Sequence, residues 1–201
     1  MVKNVVFDIG NVLATFKPKE VMEEFFQDEK AARDLYELFF ASGLWNDYDQ
    51  GLYNGHSLKQ IAIEKMPMYQ REILALIPAW AKYVRPIDSS LQLIKELKKQ
   101  GYGIYILSNI PEDSYVYLKD QTSLFDDIDG GIFSYQVQVI KPDRRIYECL
   151  LEKYGLKSEE CLFIDDRKEN VEMALSLGFS GIHCQDPNDL KEEVRKVLYA
   201  L

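Results

Sequence analysis

The chain has 201 residues, and its 24 Lys+Arg against 33 Asp+Glu leave a net charge of -9 at pH 7. With 47% hydrophobic and 28% charged residues it has ordinary globular composition, and at this length a folded core needs no disulfide or metal staple. The acidic balance argues against nucleic-acid or anionic-membrane partners. Cys149, Cys161 and Cys184 lack metal-ligand spacing, and no targeting segment or membrane-length apolar run is visible, so a soluble cytoplasmic protein is expected.

Val5-Val6-Phe7 is a short apolar run that stops at Asp8 and Gly10, the pattern of a buried strand meeting a turn. From Pro18 to about Tyr83 apolar residues recur at helical spacing, as in Val21, Phe25 and Phe26, then Leu35, Leu38 and Phe39, then Ile73, Leu76 and Ile77. After Pro86, helices and strands alternate. Asp88 or Ser89 is expected to cap a helix that Gly101 ends, followed by a strand over Gly103–Leu107 closed by Ser108-Asn109. Pro111 starts a helix, Gly130–Ser134 is a weaker strand, and Pro142 stands in the first turn of a helix running to Gly155. Cys161–Ile164 is a strand ending in Asp165-Asp166, a helix runs from Lys168 to Leu177, Gly181–His183 is the last strand, and Pro187 begins the final helix.

This order predicts an α/β protein: a Rossmann-like parallel sheet core covered on both faces, with an inserted α-helical cap. The expected division is 1–14 and 86–201 for the core and 15–85 for the cap.

Ligands of an open parallel sheet bind beyond the carboxyl ends of its strands. Asp8, Ser108-Asn109, Lys141 and Asp165-Asp166 all fall there. Singly, each has a plain reading as a turn, cap or solvated residue. Together they place three carboxylates and one lysine at one sheet edge. An acidic pair after a buried strand costs repulsion unless a cation offsets it, and oxygen ligands without thiolates or imidazoles suit Mg²⁺.

Four segments in order carry a resemblance: Phe7-Asp8-Ile9-Gly10-Asn11-Val12-Leu13, Ile106-Leu107-Ser108-Asn109, Lys141-Pro142-Asp143, and Phe163-Ile164-Asp165-Asp166 with Asn170. The chain resembles the haloacid dehalogenase superfamily, subfamily I with an α-helical C1 cap. Its first motif is similar to that of capped sugar-phosphate phosphatases.

The resemblance implies a Mg²⁺-dependent phosphomonoester hydrolase acting through an aspartyl-phosphate on a small phosphorylated metabolite such as a sugar phosphate. Asp8 would be the nucleophile and a metal ligand. The Gly10 backbone carbonyl, Asp166 and Asp165 would complete the metal site, Asp165 directly or through water. Ser108, Asn109 and Lys141 would bind the phosphate, with Ser108 and Lys141 serving catalysis. Asn170 would orient Asp166 or Lys141. Trp45, Asp47 and Asp49, in Leu44-Trp45-Asn46-Asp47-Tyr48-Asp49-Gln50-Gly51, are similar to a substrate-facing loop of such caps. His183 is expected to be structural.

Gly10 departs from the phosphatase pattern, which has there a second Asp to protonate the leaving oxygen. A water, Asp47, Asp49 or His56 remains as a replacement. Two other functions stay open: a metal-independent 2-haloacid dehalogenase, against which the Asp165-Asp166 pair argues, and a catalytically weak phosphate-binding protein. A response-regulator receiver puts its acidic pair after the first strand and has no helical insert, so its order does not fit. Composition leaves the oligomeric state undecided.

Overall fold

The computed structural model describes residues 1–199. Five parallel strands form one sheet in the order β3-β2-β1-β4-β5, with β1 at Asn4–Phe7, β2 at Gly103–Ser108, β3 at Gly130–Phe133, β4 at Cys161–Asp165 and β5 at Ser180–His183. Val5, Val6 and Phe7 have no exposed surface. Burial on both faces explains why β1 reads as an unbroken apolar run rather than an alternating one.

From Pro18 to Tyr83 the chain builds only helical structure: α1 (Pro18–Phe25), α2 (Glu29–Tyr36), α3 (Leu44–Asp49), α4 (Gly55–Lys65) and α5 (Gln70–Ala79). Backbone bridges from Ala14 to Gly10 and Pro86 bring the two ends of the insert together. Its apolar residues do not form a separate core. Leu35, Phe39, Leu58 and Leu76 belong to the same buried cluster as Val5, Phe7 and Ile104 of the sheet. After α2 the helix widens into a π turn over Glu37–Ala41, in which the Ser42 N–H reaches the Glu37 carbonyl at 3.0 Å.

The remaining helices are α6 (Asp88–Lys99), α7 (Glu112–Gln121), α8 (Ser134–Val137), α9 (Arg144–Tyr154), α10 (Lys168–Ser176) and α11 (Leu190–Leu198). Helix starts are where the sequence reading slips. Neither Asp88 nor Ser89 caps α6; Ile87 holds the cap position without a side-chain bond. The helix expected at Pro142 begins at Arg144, because Asp143 accepts the Arg145 N–H at 2.9 Å and thereby sets the N-cap. Gly155, at φ 62, ends it as expected. The last helix starts at Leu190, three residues after Pro187. Among the described residues no helix is long and apolar enough to cross a membrane.

Candidate active site

Strand register assembles the site. Phe7 stands opposite Ile106 of β2 and Ile164 of β4. The next residue of each strand therefore sets Asp8 beside Leu107 on one side and Asp165 on the other, with Ser108 one step further. Asp8 is 7% exposed, Ser108 1% and Asp165 0%.

Lys141, in the segment between α8 and α9, closes this edge and is itself buried. Its Nζ lies 2.6 Å from Asp165 Oδ2, 2.8 Å from Asp8 Oδ1 and 2.8 Å from the Leu107 carbonyl. The ammonium donates hydrogen bonds to Asp165 and Leu107 and forms an ion pair with Asp8. The ring of Phe163 lies beneath, with its centroid 5.6 Å from Nζ. Burial works against the lysine's charge, but Asp165 and Asp8 outweigh it and raise its pKa. Lys141 is thus a fixed cation.

One lysine does not balance three carboxylates. Asp8, Asp165 and Asp166 each bring an oxygen within 4.8 Å of the others. Burial first, then the neighbouring Asp165 and Asp166, push the Asp8 carboxyl up to about 7, although Lys141 opposes the shift. Asp166 is also raised, mainly by burial, with Asn11 opposing. Asp8 Oδ1 is buried, and its contact with Lys141 has poor hydrogen-bond geometry, so it has no hydrogen-bond donor. Three clustered carboxylates against one ammonium fit a bound divalent cation, and an all-oxygen donor set suits a hard one.

The two adjacent acids are differently committed. Asp165 spends Oδ2 on Lys141 and Oδ1 on the Asn170 amide (2.9 Å) and the Arg167 N–H (2.8 Å). Asp166 accepts a single side-chain bond, from Asn11 Nδ2 at 2.8 Å, and keeps free lone pairs. Asn170 therefore orients Asp165, not the expected Asp166, and acts on Lys141 only through it. The Asn109 side chain grips the Lys141 backbone at both ends, giving Nδ2 to its carbonyl (3.1 Å) and accepting its N–H (2.8 Å). It fixes the lysine's loop, and Asn109 lines the pocket next to Ser108. His183 stands at the same edge as the acids, opposite Asp165, with Nε2 3.0 Å from the Asp166 carbonyl oxygen.

Asn11 has a supporting role that the sequence did not single out. At φ 51 it occupies the left-handed region that Asn tolerates. From there it bonds Asp166 and accepts the Phe16 N–H at 2.9 Å. An Asn four residues after a strand end was the signal available.

The insert roofs the edge with aromatics. Asp8, Lys141, Ser108 and Asp166 open into a pocket of about 220 Å³ walled by Phe16, Phe40, Trp45 and Trp80. Trp45 stacks on Phe40 with centroids 4.8 Å apart and meets Trp80 at 4.6 Å. Asn46 and Asp49 are the polar groups that α3 adds to this wall. Burial, then the charge of Asp8, raises the Asp49 carboxyl well above its ordinary range, against a partial offset from Trp45. Asp47 and exposed His56, the other expected cap residues, do not line the pocket.

Comparison with known proteins agrees with this architecture. The family model of haloacid dehalogenase-like hydrolases matches residues 2–178. The chain belongs to that family and is a hydrolase. It is 27% identical to a sesquiterpene phosphatase of Aspergillus oryzae, over 98% of this chain and 96% of the relative. It is 23% identical to a D-ribitol-5-phosphate phosphatase of Bacteroides thetaiotaomicron, over 98% and 99%. A crystal structure of a haloacid dehalogenase family enzyme from that bacterium, complexed with magnesium and inorganic phosphate, superposes with a TM-score of 0.76 at 24% identity, covering 90% of this chain and 93% of that one.

Proposed function

We propose that this protein is a Mg²⁺-dependent phosphomonoesterase that uses Asp8 as nucleophile on a small phosphorylated metabolite. The observation that carries the reading is the buried Asp8–Lys141–Asp165 arrangement, with the Asp166 carboxylate clustered beside it. In this reading Asp8, Asp166 and the Gly10 carbonyl hold Mg²⁺, which when bound neutralises phosphate charge and polarises the phosphoryl oxygens. Asp165 serves the lysine rather than the metal.

The protein's own groups do the rest. Lys141 holds Asp8 in place and reduces its repulsion toward an incoming dianion. Ser108, whose hydroxyl has only a 3.5 Å contact with the Asn109 carbonyl, is free to donate to a phosphoryl oxygen. Asp8 attacks phosphorus to give an aspartyl-phosphate, which water then hydrolyses, so one hard displacement becomes two easier ones. Residues 15–85 act as a cap over a core of 1–14 and 86–201, and its aromatic wall excludes water from the reacting atoms.

The acids Asp165 and Asp166 speak against the dehalogenase alternative, because without a metal they would repel a carboxylate substrate. Both full-length relatives carry phosphatase names, one for a sesquiterpene and one for a polyol phosphate. The test is phosphate release from isoprenyl, polyol, sugar and aryl phosphates, with Mg²⁺ and with EDTA. Mg²⁺-dependent release is expected. No release from any ester, or release unchanged by EDTA, would sink the reading.

A further inference from the structure

If the protein is the phosphatase described above, its alkoxide leaving groups need a proton, and the pocket restricts the donor. Asp8 is the nucleophile. Asp165 is fully buried and bonded through both oxygens. Asp166 belongs with the metal, Lys141 is committed to two carboxylates, and residue 10 has no side chain. Asp49 is the remaining carboxyl that lines this pocket. We propose that Asp49, carried by the helical insert, is the catalytic acid and base of the reaction.

Asp49 is fixed on the sheet domain rather than hung from a mobile roof. Its backbone carbonyl accepts the Ser134 hydroxyl, and Ser134 in turn accepts the Ile110 N–H at 2.9 Å. On either side, Tyr48 donates to Asp113 at 2.8 Å and Gln50 to the Gln138 carbonyl at 2.7 Å. Gly51 permits this docking: at φ +75, a Cβ there would lie 2.7 Å from the Tyr135 carbonyl oxygen. Three consecutive residues tied to α7, α8 and the segment after it hold a catalytic group far more rigidly than a loop does.

The chemistry balances. As Asp8 Oδ forms its bond to phosphorus, the bond from phosphorus to the ester oxygen breaks, and the Asp49 proton passes to that oxygen to release an alcohol. The Asp49 carboxylate then takes a proton from the water that attacks the aspartyl-phosphate. Inorganic phosphate leaves, and Asp8 and the protonated Asp49 are restored.

The experiment is stopped-flow turnover of the Asp49→Asn protein with Mg²⁺, using glycerol phosphate and 4-nitrophenyl phosphate. Alkyl turnover is expected to fall about 10²–10⁴-fold. Nitrophenolate leaves without a proton, so the aryl ester is expected to give a burst of one equivalent at near the unmodified rate. A slow steady state then follows, since the water step lacks its base. Asp49→Glu keeps a carboxyl and should retain more alkyl turnover than Asp49→Asn. Adding Gly10→Asp to Asp49→Asn should restore part of it, since a Cβ at residue 10 meets nothing closer than Phe16 Cβ at 3.5 Å. A burst slowed as much as alkyl turnover, equal loss in Asn and Glu variants, or undiminished alkyl turnover would each overturn the assignment. An unmodified protein inactive on every ester fails differently: it removes the phosphatase reading and this assignment with it.

Discussion

The strand ends and the helical insert face each other across one pocket but are built on opposite rules. At the strand ends most polar atoms are buried and spoken for: Lys141 bonds Asp165 and the Leu107 carbonyl and pairs with Asp8, Asp165 has three donors, and Asn109 uses both ends of its amide. The insert offers four aromatic walls with Asn46 and Asp49 on one short helix. Reaction chemistry needs charges held within tenths of an ångström, and a sheet edge supplies that rigidity. Selection among substrate bodies needs apolar surface and a few polar contacts, and helices supply those with sequence to spare.

The largest effect should come from Asp8. Asp8→Asn removes the nucleophile while keeping its shape, and phosphate release should fall on the order of 10⁴–10⁶-fold, as when other enzyme nucleophiles are deleted. Circular dichroism should remain unchanged. Substantial residual turnover would mean that the strand ends bind the phosphate but do not attack it.

How much of this was legible follows the same division. The strand ends were readable because a parallel sheet brings the residues after its strands together whatever lies between them. Asp8, Ser108 and Asp165 needed only the strand positions. That Asp165 is the acid bonded to the lysine was not readable from the residues, since Asp165 and Asp166 differ only in which way the chain turns them. In the insert, helical spacing was plain. The π turn at Glu37–Ala41 was not, although it rotates the frame by one residue between Phe39, which is fully buried, and Phe40, which lines the pocket. Asp49 could not be chosen over Asp47 or His56 without knowing that α3 docks through Ser134.

Lys141→Met breaks the strand-end network by leaving two buried carboxylates without their cation. Removing one partner of a buried pair costs about 3–5 kcal/mol, read as a lower denaturant midpoint at unchanged slope. A loss below about 1 kcal/mol, the surface-pair range, would show that the carboxyls simply protonate.

Without metal, the same region sets the pH dependence of stability. Asp8 is pushed up to about 7 from an ordinary 3.8, so between those values the folded protein binds a proton that the unfolded chain has lost. Stability of the EDTA-treated protein should fall as pH rises through that window and level off above it. Asp166 is raised too and acts in the same direction. Mg²⁺ should raise the Tm more at pH 8 than at pH 5, because it binds the ionised acids. A Tm in EDTA that rises from pH 5 to 8 would contradict the crowding of like charges.

Asn11→Ala strips Asp166 of its one side-chain donor. Loss of such a supporting bond typically weakens metal binding 10–100-fold. The midpoint of Mg²⁺ activation should shift by that factor, with turnover at saturating Mg²⁺ nearly unchanged. A fall in saturated turnover would give Asn11 a place in the reaction itself.

The smallest effect should come from the insert and separates the two regions most cleanly. Asn46 is exposed, lines the pocket and lies three residues before Asp49 on α3. It has no bond to the strand ends. A hydrogen bond to a substrate hydroxyl contributes about 0.5–1.5 kcal/mol, so Asn46→Ala should raise KM for polyol phosphates by up to about tenfold. It should leave KM for 4-nitrophenyl phosphate, kcat for both and the Tm unchanged. If kcat moved with KM, Asn46 would act on the transition state as well as on the bound substrate, and the insert's part in the chemistry would extend beyond Asp49.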